Sequence, residues 1–215
     1  SEFSHSDTQW NLDKFVFEQH IMSSFKFTVP KSYDVVVVGD NTITEEGALT
    51  KTISSIDTDP RLGTSLIISP HLYTVKAKTS NDVLVEVVYL NKHRKEEAQF
   101  ILDQALDIIP YYSMKYGAKS FKRLVIANSP VMGDWGMASD AFIFLGDGAI
   151  GSSQVTDDNY MNRWLVFLVS HEIGHLWAGI GNDVDFNTDN YLSEGLTNYI
   201  CFDYFEKRFG ILGNT

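Results

Sequence analysis

His171-Glu172-Ile173-Gly174-His175 sets two imidazoles at positions i and i+4 with a carboxylate between them. On a helix that spacing puts both rings on one face, about 6 Å apart along the axis. Rings so placed can grip one tetrahedral metal ion, and the intervening Glu172 can act on a water held there. A third protein ligand is needed. Glu194, in Leu192-Ser193-Glu194-Gly195, follows His175 after 18 intervening residues and would supply it from a second helix. Two His, one Glu and an open fourth position make a hydrolytic zinc site rather than a structural one. The expectation is one Zn2+ per chain held by His171, His175 and Glu194, with Glu172 as the general base that passes the water's proton to a leaving amine.

An isolated H-E-x-x-H also arises by chance on amphipathic helices, so its surroundings matter. The run Trp164-Leu165-Val166-Phe167-Leu168-Val169 ahead of it is apolar. A helix buried by that run would hold two unliganded His and a Glu at a polar cost. Glu194 lies near the start of another helically periodic stretch, Leu192, Leu196, Tyr199, Ile200 and Tyr204. A competing motif, Asp183-x-Asp185-x-Asn187-x-Asp189, has the oxygen spacing of half a calcium loop, but Thr188 stands at the sharp-turn position and Glu194 would be the twelfth ligand. The plainer reading is an acidic loop favouring the next helix N-terminus, with Asp189 able to orient a zinc ligand.

The elements that must position these residues divide the chain into a β-rich stretch and a mixed one. Phe15 and Phe17, then Phe25, Phe27 and Val29, alternate with polar neighbours. Val35-Val36-Val37-Val38 before Gly39-Asp40 reads as a buried strand and a turn, and Leu66-Ile67-Ile68 and Tyr73-Thr74-Val75 continue the pattern. His20 and His71 fall here and read as surface or packing residues. After Thr79-Ser80-Asn81-Asp82 come a strand from Val83 to Leu90, a helix from Lys95 to about Tyr112, and strands at Leu124–Ala127 and Ala141–Leu145. Asp157 or Asp158 would cap a motif helix running to about Ile180, and the Glu194 helix would stop near Gly210. Strands followed by helices, with the metal on the helices, predict an α+β fold with a β-rich domain over residues 4–80 and a second unit over 81–215.

A formal charge of −11 over 215 residues excludes the basic face that a nucleic-acid binder needs. Cys201 is the single cysteine, so no intrachain disulfide can form. No stretch approaches the roughly 20 apolar residues that span a bilayer. Ser1-Glu2-Phe3 reads as a cloning remnant. With neither a leader nor a membrane segment in the sequence, a cytoplasmic setting is the expectation.

These residues resemble the aminopeptidase N family of gluzincins, zinc metallopeptidases with a thermolysin-like catalytic domain. The spacing from H-E-x-x-H to Glu194, Trp177 and Gly179 after the second His, and Leu192-x-Glu194-Gly195 carry the likeness. Val29-Pro30 and Ile68-Ser69-Pro70 resemble the closing strands of the family's β domain, and Tyr116-Gly117 its aromatic-Gly pair. The resemblance implies the C-terminal part of a β domain followed by the front half of the catalytic domain, acting on a peptide or protein substrate. It also implies that substrate backbone lies along Gly136, Met137, Ala138 and Ser139, where the family carries G-A-M-E-N on an edge strand. Ser139 stands where the family's amine-binding Glu falls, and Asp140 is one residue, hence one strand face, away. The family's transition-state tyrosine comes several dozen residues past the Glu ligand. This chain ends 21 residues after Glu194, and Tyr191, Tyr199 and Tyr204 are too near in sequence to match it. That implies a fragment with weak activity or none. The alternatives are a zinc-retaining peptide-binding or assembly module and a gluzincin endopeptidase.

Overall fold

The computed structural model describes residues 21–61, 63–151, 160–182 and 189–210. The alternating first part forms β1 (Ile21–Pro30), β2 (Asp34–Val37), β3 (Asp40–Glu46), β4 (Thr50–Arg61) and β5 (Leu66–Ser69). β1, β4 and β3 make an antiparallel sheet in that order, while β2 pairs antiparallel with β5 in a ribbon of its own. Phe27, Val29 and Ile53 share one face of the larger sheet and pack with Val35 and Tyr33. Gly39 leads straight into β3 instead of closing a turn. A Cβ there would meet the Ile56 carbonyl oxygen at 2.5 Å, so only glycine permits that approach to β4.

The second sheet takes β6 (Tyr73–Lys78), β7 (Leu84–Tyr89), β8 (Arg123–Ser129), β9 (Gly136–Ser139) and β10 (Phe142–Gly146) in the order β6-β7-β8-β10-β9. Its inner pairs are parallel and its two outer pairs antiparallel. The polar run at Thr79–Asp82 closes the β6–β7 hairpin, with the Val83 N–H donating to Thr79 Oγ1 at 2.9 Å. The change of sheet falls ahead of it, between Ser69 and Tyr73.

Parallel pairing of β7 with β8 requires a crossover, and α1 (Lys95–Tyr116) provides it. α1 runs about a turn past the end expected near Tyr112, through Pro110, to Gly117 at φ 97°. That last turn is held by tertiary bonds: the Tyr112 hydroxyl donates to the Ser170 carbonyl at 3.1 Å, and Tyr116 donates to Asp203 at 2.7 Å. The remaining helices are α2 (Asp147–Gly151), α3 (Tyr160–Gly174) and α4 (Asn190–Phe209). The expected caps Asp157 and Asp158 lie outside the described residues, as do Phe15, Phe17 and His20. α4 stops as expected, at a left-handed Gly210 whose N–H bonds the Glu206 carbonyl at 2.8 Å.

Both faces of the five-stranded sheet are covered, which is why β7 and β8 are buried almost throughout. On one face Val85, Val87, Leu124, Ile126, Ile143 and Leu145 pack against the helices; on the other Val88, Val125 and Phe142 pack against Val36, Val38 and Ile67 of the ribbon. Arg123 ties ribbon to sheet, bonding the carbonyls of Val37, Val38 and Gly39 while pairing with Glu86 at 2.6 Å. The result is a mixed helix-and-sheet architecture, four α-helices and three sheets among the described residues, in keeping with the α+β expectation. No helix among the described residues is long and apolar enough to cross a membrane.

Asp203 of α4 accepts from Tyr111 at 2.6 Å and from Tyr116 and Lys115, all on α1, and so fixes the ligand helix to the crossover helix. Burial pushes its carboxyl upward, but the bonds from Lys115, Tyr111 and Tyr116 outweigh this and hold it below its ordinary value. Asp203→Ala is expected to cost about 1–3 kcal/mol near neutral pH. A folded value below the unfolded one, about 3.9, makes this stabilisation present above roughly pH 4 and lost as pH falls through the folded value. Urea unfolding at neutral and acid pH should therefore show wild type and variant far apart in the first and converging in the second.

Candidate functional site

The helical chain that carries the first ligand changes character in the middle of the motif. α3 ends at Gly174 rather than near Ile180, and the chain tightens into i→i−3 turns, with the Leu176 N–H bonding Ile173 and the Trp177 N–H bonding Gly174. The physical cause is the run of glycines: Gly179 is left-handed at φ 72°, and a Cβ on Gly181 would sit 2.0 Å from the Leu176 carbonyl oxygen. The His175 N–H still bonds the His171 carbonyl at 3.2 Å, so the i, i+4 relation survives the tightening. The two rings lie 4.8 Å apart, centroid to centroid, and nearly perpendicular.

α4 brings Glu194 to them. Its carboxylate oxygens lie 3.2 Å from His171 Nε2 and 3.6 Å from His175 Nε2. One potential ligand atom from each of the three residues falls within 4.8 Å of the others, a group able to hold a metal ion. No family model matches the chain, and no curated protein matches it. The close approach of α4 depends on two small residues of the facing chain. A Cβ on Gly179 would meet Ser193 Oγ at 2.1 Å, and one on Gly174 would meet Thr197 Cγ2 at 3.1 Å.

The charges at the site are unbalanced as they stand. Burial pushes His175 down to about 4, aided by the neighbouring His171, and burial also lowers His171 against the opposing pull of Glu194 and Asn198. Neutral imidazoles leave the Glu194 carboxylate with no cation beside it among the described residues. The donor set, two imidazole nitrogens and a carboxylate converging on one point, fits a metal ion that would supply that positive charge. Glu172, 4% exposed, faces the same space, and burial followed by repulsion from Glu194 raises it to about 8 in spite of a hydrogen bond from the Ala138 backbone.

That bond joins the motif to the sheet edge. Among the described residues β9 is an outer strand that pairs with β10 alone, and it passes so close to α3 that a Cβ on Gly136 would lie 2.5 Å from Glu172 Oε1. Between them opens a cleft of about 410 Å³ that contains His171, Glu172, His175 and Glu194. Gly136, Met137 and Ala138 line it. Ser139 does not: it pairs with Phe142 where the hairpin closes. Asp140 accepts from the Gly63 N–H at 3.3 Å and borders a separate groove with Arg61 and Lys119.

Several site residues went unnoticed in the sequence. Trp135, Trp164, Phe167, Leu168, Ile180 and Asn198 complete the lining. Thr197 Oγ1 lies 3.1 Å from His175 Nδ1, and Asn198 Oδ1 lies 3.1 Å from His171 Nδ1. The signal was available, since positions i+3 and i+4 from Glu194 share its helix face. Asp189, expected to orient a ligand, is at the start of α4 without a side-chain capping bond, and Asp183–Thr188 lie outside the described residues. His71 is exposed, in keeping with a surface role. Tyr191 and Tyr199 are exposed, Tyr204 is buried with its hydroxyl on Asp107, and none of the three lines the cleft.

Gly179 gives the sharpest check on this geometry. Gly179→Ala combines a left-handed backbone with a methyl driven into Ser193, so it is expected to destabilise the fold by about 1–3 kcal/mol. Denaturant titration should show a lower midpoint, whereas Gly195→Ala, inside α4 with open space around its Cβ, should raise stability by about 0.5–1 kcal/mol.

Proposed function

We propose that this chain is a zinc-dependent hydrolase of peptide bonds, of the aminopeptidase N-like gluzincin kind, with the five-stranded sheet and its helices as the front of a thermolysin-like catalytic domain. The observation that carries the reading is the convergence of His171, His175 and Glu194 beside Glu172, on the side of the cleft that faces the open edge of β9. Zinc bound there would supply Lewis acidity, polarising the scissile carbonyl and bringing the pKa of water toward about 7.

The rest of the work falls to the chain's own groups. Glu172, raised to about 8 by burial and Glu194, is drawn down beside a cation, into the range where a carboxylate both takes and returns a proton near neutrality. The Ala138 N–H fixes that carboxylate against β9. An extended peptide can add to β9's free edge through backbone hydrogen bonds, which sets its carbonyls at a defined height above Glu172. Trp164, Phe167 and Leu168 form the opposite wall and limit water around the reacting groups.

One observation favours a second form of the reading. Among the described lining residues the carboxylates are Glu172 and Glu194 alone, so nothing there pairs with a substrate's free amine. Cleavage within a peptide, or of N-blocked peptides, then proceeds about as well as cleavage next to a free terminus. A zinc-retaining peptide-binding module remains the rival, and retention of Glu172 argues against it.

The test has two readouts. Elemental analysis is expected to give one zinc per chain, abolished by alanine at His171, His175 or Glu194. Glu172→Gln should keep the zinc and lose hydrolysis by about 10²–10⁴-fold on a fluorogenic peptide series offered with free and with blocked N-termini. Equal cleavage by wild type and Glu172→Gln would overturn the role of Glu172. Zinc and peptide binding with no turnover, both in these 215 residues and in a form of the chain longer by roughly a hundred residues, would favour the binding module, and a strong preference for free amines would restore exopeptidase specificity.

A further inference from the structure

α4 delivers more than the third ligand. Counting from Glu194, the residues at i+3 and i+4 are Thr197 and Asn198, and each stands against the outward nitrogen of a different imidazole: Thr197 Oγ1 at 3.1 Å from His175 Nδ1, Asn198 Oδ1 at 3.1 Å from His171 Nδ1. Thr197 is fully buried. We propose that Thr197 and Asn198 are positioning residues that lock both imidazoles as Nδ1–H tautomers, so that one helix supplies the carboxylate ligand and presets both ring ligands. This rests on the metal reading above for its purpose, though not for its geometry.

The chemistry of the partners selects the tautomer. A carboxamide oxygen only accepts hydrogen bonds, so the bond to Asn198 forms when Nδ1 of His171 carries the hydrogen, with the Glu194 carboxylate, 3.2 Å from Nε2, as the competing acceptor. Thr197 Oγ1 can accept from His175 Nδ1 at 3.1 Å, and this is the role proposed for it. With hydrogens on both Nδ1 atoms, both Nε2 lone pairs point to the space shared with Glu194. Ring orientation is then settled before any ion arrives. Outer partners of this type change metal affinity by about 10–100-fold when removed. Placing them on the ligand helix also couples the parts: a shift of α4 that moves Glu194 moves both orienting groups with it.

The experiment uses the whole chain. Long-range ¹H–¹⁵N spectra of the metal-free protein, with the six histidines assigned by substitution, are expected to give His171 and His175 as Nδ1–H tautomers. Asn198→Leu should release His171 alone and Thr197→Val His175 alone, each weakening zinc about 10–100-fold in chelator competition. Asn198→Asp and Thr197→Ser should restore both the tautomer and the affinity. Wild-type spectra with either ring as Nε2–H overturn the proposal, even should an apolar variant fail to fold. So do folded Asn198→Leu and Thr197→Val chains with unaltered tautomer and affinity. A wild type that takes up no zinc overturns the metal reading instead, and the tautomer spectra then still decide the orientation.

Discussion

The contact on which the site depends is the interlock between α4 and the turn that follows α3. His171 and Glu172 belong to α3, His175 follows its end, and Glu194 comes from the far side of the interface. Three donor atoms can share one point only if the two backbones come closer than ordinary side chains allow. Gly174 and Gly179 make that possible by having nothing where Thr197 and Ser193 must be. The crossover helix α1 sets the approach from behind, through Tyr112 to the Ser170 carbonyl, Tyr111 and Tyr116 to Asp203, and the Trp177 indole to the Gly117 carbonyl at 2.7 Å. Sheet packing places α1, and α1 places both segments that carry the converging groups.

The electrostatics follow from the same closeness. Burial that is favourable for Ile173, Leu176 and Trp177 is unfavourable for the charged forms of His171, His175 and Glu172 beside them. The rings are held neutral and Glu172 is held near its protonated form, while Glu194 stands among them. A cation held among these groups would offset each of these costs at once.

How much of this could be read from the residues alone depended on whether the information was local. H-E-x-x-H and the periodic stretch around Glu194 are local patterns, and they located the three converging groups and Glu172. Alternation and apolar runs likewise located β1, β7, β8 and β10, because a strand's burial is written into consecutive residues. The end of α3 was misplaced because apolar Leu176, Trp177 and Ile180 prolong a helical period that Gly174, Gly179 and Gly181 interrupt. The polar run at Thr79–Asp82 marked a change of pattern, and it is the hairpin turn between β6 and β7 because such a turn uses these residue types. Ser139 could not be separated from Gly136–Ala138, since the boundary between cleft wall and hairpin closure is set by pairing with Phe142, a tertiary fact. Thr197 and Asn198 were missed for the opposite reason: their spacing was visible, but hydroxyl and amide side chains on a helix are too common to be singled out.

β9 has a consequence of another kind. A strand open enough to receive an extended substrate is open to any extended chain, its own neighbours in a concentrated solution included. Here the exposed ledge is only four residues long and begins with Gly136, backed by the Glu172 carboxylate. Trp135 and Met137, 70% and 47% exposed, make the ledge adhesive without lengthening it. Brevity and a buried acid behind the strand thus limit unwanted strand exchange at this edge of the sheet, so that a feature open to a partner also rations its company.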